Sequence, residues 1–347
     1  MKKIKANFFL LLFSLALFSC HQAEKKESEN KKDTMAVQSN ADTSSFAKNL
    51  SALTMQLNAD PKNSDLYYSR AKLYLDNKNF SAAQSDITQA LNMDSTKADY
   101  YLILADLQFA NYKLKNATAS FEKSLKLDPK NIQANLKLAE LYLYLKGYPK
   151  VFEYADAALK IDKHTAKAYF IKGFAFAENG DTTSAISSLQ TVVELEPNNF
   201  DAYMELGNLF EAKHSKLAFQ YYDNALRIKP NDLLALYDRS NCYQEFEDYN
   251  KAIEGYYAIL KIDSNYADAH YNLGYIHLVF LKVYNQAIKH FTDAIRAKPD
   301  YYEAWYNRGF CYENLGNIAA AKENYEEALK LKLDYELAKK GLVRVKQ

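Results

Sequence analysis

Residues 302–335 read YEAWYNRGFCYENLGNIAAAKENYEEALKLKLDY, and their arrangement recurs along most of the chain. Trp305 holds the fourth place of the stretch, Gly309 the eighth, Tyr312 the eleventh, Ala321 the twentieth and Tyr325 the twenty-fourth, with Pro299 near the end of the stretch before. Working backwards, the same order returns at 267–301, 233–266, 200–232, 166–199, 132–165, 98–131 and 64–97. A period of about 34 residues identifies a stacked-repeat architecture before any single residue is interpreted. The eighth places hold Ala71, Ala105, Ala139, Gly173, Gly207, Ser240, Gly274 and Gly309, all small, as two closely approaching helices require. The twentieth hold Ala83, Ala117, Ala185, Ala218, Ala252, Ala287 and Ala321, while Val151 departs in the third unit. The unit at 200–232 is one residue short and that at 267–301 one residue long. Both changes fall near the turn inside the unit, at His214–Lys216 and Leu281–Asn285, where a change of length costs little.

Each unit reads as two helices. In 166–199, Ala166, Tyr169, Gly173 and Phe176 recur every three or four residues, Asn179-Gly180-Asp181 breaks the run, and Ala185, Leu189 and Val192 restart it. Two short helices cannot bury both faces alone, so neighbouring units stack into a continuous core. The pattern closely resembles the tetratricopeptide repeat. That resemblance implies an all-α, right-handed solenoid of eight helix-turn-helix repeats over 64–335. Phe46, Leu50, Leu53 and Leu57, at helical spacing before Asp60-Pro61, predict a partial repeat over 46–63 that shields the first unit. Residues 336–347 restart a helix with Leu337 and Leu342, and Lys339, Lys340, Arg344 and Lys346 make it a solvating cap.

Hydrophobic residues make up 48% of 347, ample for a large core, and 29 Tyr against one Trp suit a repeat that reuses aromatic packing positions. The N-terminus is a separate matter. Lys2, Lys3 and Lys5 precede an apolar run from Phe8 to Phe18, which reads as a signal peptide over 1–19 and is short for a membrane span. Leu17-Phe18-Ser19-Cys20 resembles the lipobox of bacterial lipoproteins, although Phe18 departs from the small residue often found there. The resemblance implies cleavage before Cys20 and its lipidation, and two or three acyl chains hold a protein on a membrane stably. Residues 20–45, rich in Lys, Glu, Ser, Asn and Gln, predict a disordered tether. His21 stands where the inner-membrane retention signal of such proteins has Asp, which implies the outer membrane, at its periplasmic or surface face. Without Lys2, Lys3 and Lys5 the chain is slightly acidic, so no general attraction for nucleic acid follows.

By resemblance to the family, places 2, 5, 6, 9, 12 and 13 of each unit face a concave groove where ligands bind. In this chain those places are acidic, with Glu205, Glu211, Asp238, Asp268, Glu303 and Glu313 among them, and from the fifth unit onward they hold no base. The same face carries Tyr237, Tyr271, Tyr275, Tyr306 and Phe310 as candidate aromatic anchors. Asn208, Asn241, Asn272 and Asn307 stand where the family bonds the backbone of an extended peptide. Asn241 and Asn272 also resemble part of a clamp for a chaperone's C-terminal carboxylate. Tyr237, Glu303 and Asn307 occupy the places where that clamp needs bases, so such a ligand is not expected.

Little in the sequence points to chemistry. His270 and His277 fall on packing places, with His290 in the partner helix, and show no tight metal-ligand spacing. Cys242 and Cys311 replace core Leu or Ala and lie two units apart, too far to bridge. No phosphate loop, dinucleotide fingerprint or nucleophile elbow occurs, so no catalytic residue, metal or cofactor is expected. These features predict a membrane-anchored scaffold that binds basic or apolar segments of protein partners in an acidic, aromatic groove. The alternative is an accessory or assembly lipoprotein of an envelope machine of the outer-membrane assembly, secretion or pilus type, using the convex face. An enzyme or metal-binding protein built on the histidines of the seventh unit is the third reading.

Overall fold

The computed structural model describes residues 32–346, with side chains from residue 45 onward. The expected signal peptide, Cys20 and the first part of the tether lie outside the described residues. Among those described, the chain forms eighteen helices and no strand. A long α1 (Lys32–Ala59) precedes eight hairpins. These are α2 (Ser64–Asp76) with α3 (Phe80–Met93), α4 (Ala98–Ala110) with α5 (Leu114–Leu127), α6 (Ile132–Tyr144) with α7 (Tyr148–Ile161), and α8 (Ala166–Glu178) with α9 (Thr182–Leu195). Then come α10 (Phe200–Ala212) with α11 (Leu217–Ile228), α12 (Leu233–Glu245) with α13 (Tyr249–Ile262), α14 (Ala267–Val279) with α15 (Tyr284–Ala297), and α16 (Tyr302–Asn314) with α17 (Ile318–Leu331). A last helix, α18 (Glu336–Arg344), follows them. This is the all-α solenoid of paired helices that the period implies.

The chain divides within α5 into two compact units, one up to Ser120 and one from Phe121. In the first, Ala71 and Ala83 are fully buried where α2 meets α3, and Ile87, Tyr100 and Leu107 fill the core behind them. Arg70 grips buried Asp86 across that hairpin with bonds of 2.6 and 2.8 Å. Along α1, Leu57 is buried, Phe46, Leu50 and Leu53 are half-buried, and Phe46 meets Tyr74 of α2 edge-on at 6.5 Å. Among the described residues, 32–45 of the stretch expected as tether continue this helix, and no Gly or Pro interrupts it before Pro61.

In the second unit each hairpin closes on small residues. Ala139, Ala185, Ala218, Ala252, Ala287 and Ala321 are all fully buried, and so is Val151, which shows that the branched side chain at the departing place is accommodated. Tyr222, Tyr256, Phe291 and Tyr325, one per repeat, are fully buried; Tyr222, Phe291 and Tyr325 lie against Gly207, Gly274 and Gly309, and Gly255 against Ser240. A Cβ on Gly207 would lie 2.5 Å from the Tyr222 ring, so only glycine allows that approach. Cys242 and Cys311 are buried free thiols of this core. The extra residue of the seventh repeat sits in the turn at 280–283, while the fifth repeat is shortened at the start of α11, which has 12 residues where α13, α15 and α17 have 14. At the C-terminus, Ala338 and Gly341 of α18 pack on Tyr325, whereas Leu337 stays 47% exposed and is not the packing residue its periodicity suggests. No described helix is long and apolar enough to cross a membrane.

Candidate functional site

The first helices of repeats five to eight, α10, α12, α14 and α16, carry all the groove residues singled out in the sequence. Their polar side chains are organised by the tyrosines of the second helices. Tyr222 of α11 donates its hydroxyl to Asn208 at 2.8 Å and to Glu211 at 2.5 Å. One repeat on, Tyr256 reaches Asn241 at 2.6 Å and Gln244 at 3.1 Å. In the eighth repeat Tyr325 bonds Glu313. A buried phenol must find an acceptor, and here the ninth and twelfth places of the preceding helix supply it.

The amides then link neighbouring repeats. Asn272, 9% exposed, donates to Asn241 at 3.1 Å and lies 3.0 Å from the Tyr256 hydroxyl and 3.3 Å from that of Tyr237. Asn307 likewise donates to the Tyr271 hydroxyl at 3.1 Å. The asparagines read as peptide-bonding groups thus hold their own tyrosines in place. Their bonding holds the hydroxyls of Tyr237 and Tyr271, whose rings remain half-buried.

Three tyrosines missed in the sequence complete the aromatic surface. Tyr266, Tyr301 and Tyr335 occupy the N-cap places of α14, α16 and α18 and make no side-chain capping bond there, although Asn199 and Asp232 cap α10 and α12 in the usual way. Losing such a cap costs about 1 kcal/mol. Each ring instead lies on the fifth-place tyrosine of its repeat: Tyr266 is 5.8 Å from Tyr237, Tyr301 4.7 Å from Tyr271, and Tyr335 5.5 Å from Tyr306. Tyr275 extends the Tyr271 stack at 6.4 Å, and Phe310 extends Tyr306 at 6.3 Å. The signal was present in the sequence as an aromatic just before α14, α16 and α18. Only the packing shows that those rings turn toward the fifth place.

The acids differ along the unit. In the third and fourth repeats Glu140 is neutralised by Lys167 at 2.6 Å. In the fifth, Glu205 is 5% exposed, and burial, with the charges of Asp201 and Asp238 behind it, pushes its carboxyl up to about 8 against the bond it receives from Asn208. Burial also pushes Asp238 of α12 up to about 7, reinforced by Glu211 and Asp232. The two acids come from adjacent first helices and share one electrostatic neighbourhood. At the far end Glu313 has a cation: Arg344 of α18 bonds it at 2.6 and 2.8 Å, which holds the carboxyl below its usual range, and the guanidinium sits 5.7 Å from the Phe310 ring. The chain therefore displays, at its own end, an arginine held by one of these acids and one of these rings.

His270 and His277 of α14 gather around His290 of α15 in the seventh repeat. His290, 6% exposed, has its ring 5.2 Å from that of His277 and 6.2 Å from that of His270. Burial, aided by the nearby imidazoles, pushes it down to about 4. His277 bonds the Leu273 carbonyl at 2.7 Å and His270 the Ser264 carbonyl at 3.0 Å, bonds that fix their rings as packing elements. Among the described residues no group of three or more His, Cys, Asp or Glu is set to hold a metal ion.

Family models described as tetratricopeptide repeat match residues 68–132, 172–233, 267–301 and 302–335, together more than half of the chain. The human protein O-mannosyl-transferase TMTC3 is 34% identical over 86 residues, which are 24% of this chain and 9% of that protein. The chain thus spans less than a tenth of the length of that relative. Among solved structures, pilF of Pseudomonas aeruginosa superposes with a TM-score of 0.52 at 19% identity, covering 58% of this chain and 92% of that one. The C-terminal part of a repeat-containing protein from Cytophaga hutchinsonii gives 0.52 at 20% identity, over 66% and 94%. At such identities the likeness is one of fold.

Proposed function

The chain belongs to the tetratricopeptide-repeat family, and from that premise we propose that it is a lipid-anchored scaffold of a bacterial envelope, in the outer membrane, which holds an extended basic and apolar segment of a partner protein against repeats five to eight. The repeat is a protein-binding scaffold by nature, and a specific ligand must be argued from the side chains it presents. The observation that carries the reading is the pair of buried Glu205 and half-buried Asp238 on adjacent first helices, on a face to which those first helices contribute no base in these repeats. Buried acids of like charge raise each other's cost, and a cationic side chain from a partner relieves it. The tyrosine pairs of repeats six to eight supply apolar contact beside them. The anchor rests on the Leu17–Cys20 motif.

The binding half is tested with a fluorescent extended peptide alternating Lys and Leu and its Glu-for-Lys counterpart. The Lys peptide should bind, more weakly as salt rises, and Glu205→Gln with Asp238→Asn should weaken it about tenfold. Binding indifferent to both salt and the double substitution rules the mechanism out. The anchor half is tested separately, because an acyl label that persists on Cys20→Ser overturns it.

A further inference from the structure

The turn of the seventh repeat is unlike its neighbours. Where the fourth repeat has Asn179-Gly180-Asp181, the seventh presents Val279, Phe280, Leu281 and Val283, each more than 40% exposed, in a turn that carries the repeat's extra residue. An inserted residue in a surface turn is ordinarily polar. The apolar tip is also held out rigidly, since Phe280 stacks on Tyr249 at 4.1 Å and meets Tyr275 edge-on at 6.0 Å. Leu217, Leu315 and Ile318, at the corresponding turns of repeats five and eight, are 43 to 46% exposed.

A second feature marks the same edge. The tips of these turns need a left-handed backbone, for which glycine is the least costly residue, and Gly180 and Gly316 provide it in two repeats. Lys146, His214 and Lys282 adopt it instead, at φ of 57°, 51° and 55°. Lys213 and Lys216 stand exposed beside His214. Basic side chains thus occupy strained tips where nothing local requires them, and such strain is a pointer to function. The turns of the fourth repeat, with Asp181, and of the sixth, with Glu247 and Asp248, are acidic instead, and Asp248 is paired with Lys251 at 3.0 Å.

We infer that the inter-helix turns of the second unit form a lipid-docking edge, which rests on an anionic bilayer with Phe280, Leu281 and Val283 inserted among the headgroups. Because successive helices are antiparallel, the turns inside repeats lie at one end of the helices and those between repeats at the other. Phe280, Leu281 and Val283 therefore share one edge with Leu217, Leu315 and Ile318, whereas Ile262 and Leu333 lie exposed at the opposite one. A projecting apolar tip fits a deformable phase, and lysines beside it attract anionic headgroups. A nucleic acid would engage the lysines and leave the apolar tips in water.

The test uses the full-length chain carrying Cys20→Ser, so that failure of the acylation reading and failure of this one are distinguishable. An environment-sensitive fluorophore is placed on Leu281→Cys, or on Asn265→Cys in an exposed turn between repeats. Cys242 and Cys311 are fully buried and do not compete for the label. With phosphatidylglycerol vesicles the probe at 281 should brighten at least threefold and be quenched by brominated acyl chains, while the probe at 265 stays aqueous. Lys213→Glu with Lys216→Glu should cut the response at 281 at least threefold. The apolar run Phe8–Phe18 is common to all these proteins and cancels between them. The inference is overturned by no vesicle binding, by an aqueous probe at 281 on vesicle-bound protein, or by equal responses at both sites. A response without vesicles that grows with protein concentration overturns it in favour of a second copy, and one that requires an added protein overturns it in favour of a protein partner.

Discussion

Replacing Glu205 by Gln should make this protein more stable, by a margin that opens above pH 4.5 and is complete above about 8. In the folded state burial holds the carboxyl near 8, against 4.5 when unperturbed. Between those values the folded chain binds a proton that the unfolded chain has released, so stability falls as pH rises through the window. At about 1.4 kcal/mol per unit, the rise from 4.5 to about 8 corresponds to about 5 kcal/mol of stability lost once the site is forced to ionise. Local relaxation and water entry recover part of it, so about 2–4 kcal/mol is expected. Gln keeps the shape and a polar contact to Asn208 but never ionises, and so imitates the protonated acid at every pH. Urea unfolding followed by far-ultraviolet circular dichroism should give variant and parent the same stability at pH 4.5. At pH 8.5 the variant should be ahead by that margin. A difference that does not change with pH refutes the claim that Glu205 is buried without a cation, and with it the main support for a basic ligand. Saturating Lys-rich peptide should shrink the gap at pH 8.5, because it supplies the missing charge.

Tyr256→Phe removes a hydroxyl bonded to Asn241 and Gln244 and should cost about 1–3 kcal/mol in denaturant unfolding, since buried amides lose a partner. Gly207→Ala forces a Cβ to 2.5 Å from the Tyr222 ring and should cost about 1–3 kcal/mol net of the better helix propensity of Ala, whereas a stabilised variant would show the approach is not tight. His290, pushed down to about 4, is neutral when folded and takes up a proton on unfolding below pH 6.5, so stability should fall with acidification from 6.5 toward 4. His277, His270, Tyr257, Lys289 and Asp293 surround it, and His290→Phe should flatten that part of the thermal-melting profile if His290 is its source.

Much of the fold was legible because a repeat states its packing rule many times over. The small residues at Gly207, Ser240, Gly274 and Gly309 identified the helix-helix contact without a structure, and the period marked out the helical hairpins. The site was legible only in part. Acids and aromatics on the first helices could be counted by place, but sequence spacing does not tell which partner a polar group has. Asn241 and Asn272 read as groups waiting for a peptide, and they bond Tyr256 and Tyr237. Spacing also does not tell that Glu140 is matched by Lys167 while Glu205 is buried near Asp238. Tyr266, Tyr301 and Tyr335 gave no helical-period signal, because they lie at caps, outside the runs that carry the period.

By itself the sequence determined that the chain is a stack of helical hairpins, since local periodicity and small-residue contacts act over a few residues and are written directly in the order of the chain. Burial of a particular carboxylate, the stacking of a cap tyrosine on the ring behind it, the capture of Arg344 by Glu313 and the exposed apolar tip at Phe280 depend on groups about thirty residues apart along a period of about 34. The tertiary structure alone decided these, because each is a balance of desolvation, charge and contact that exists only once neighbouring repeats are stacked.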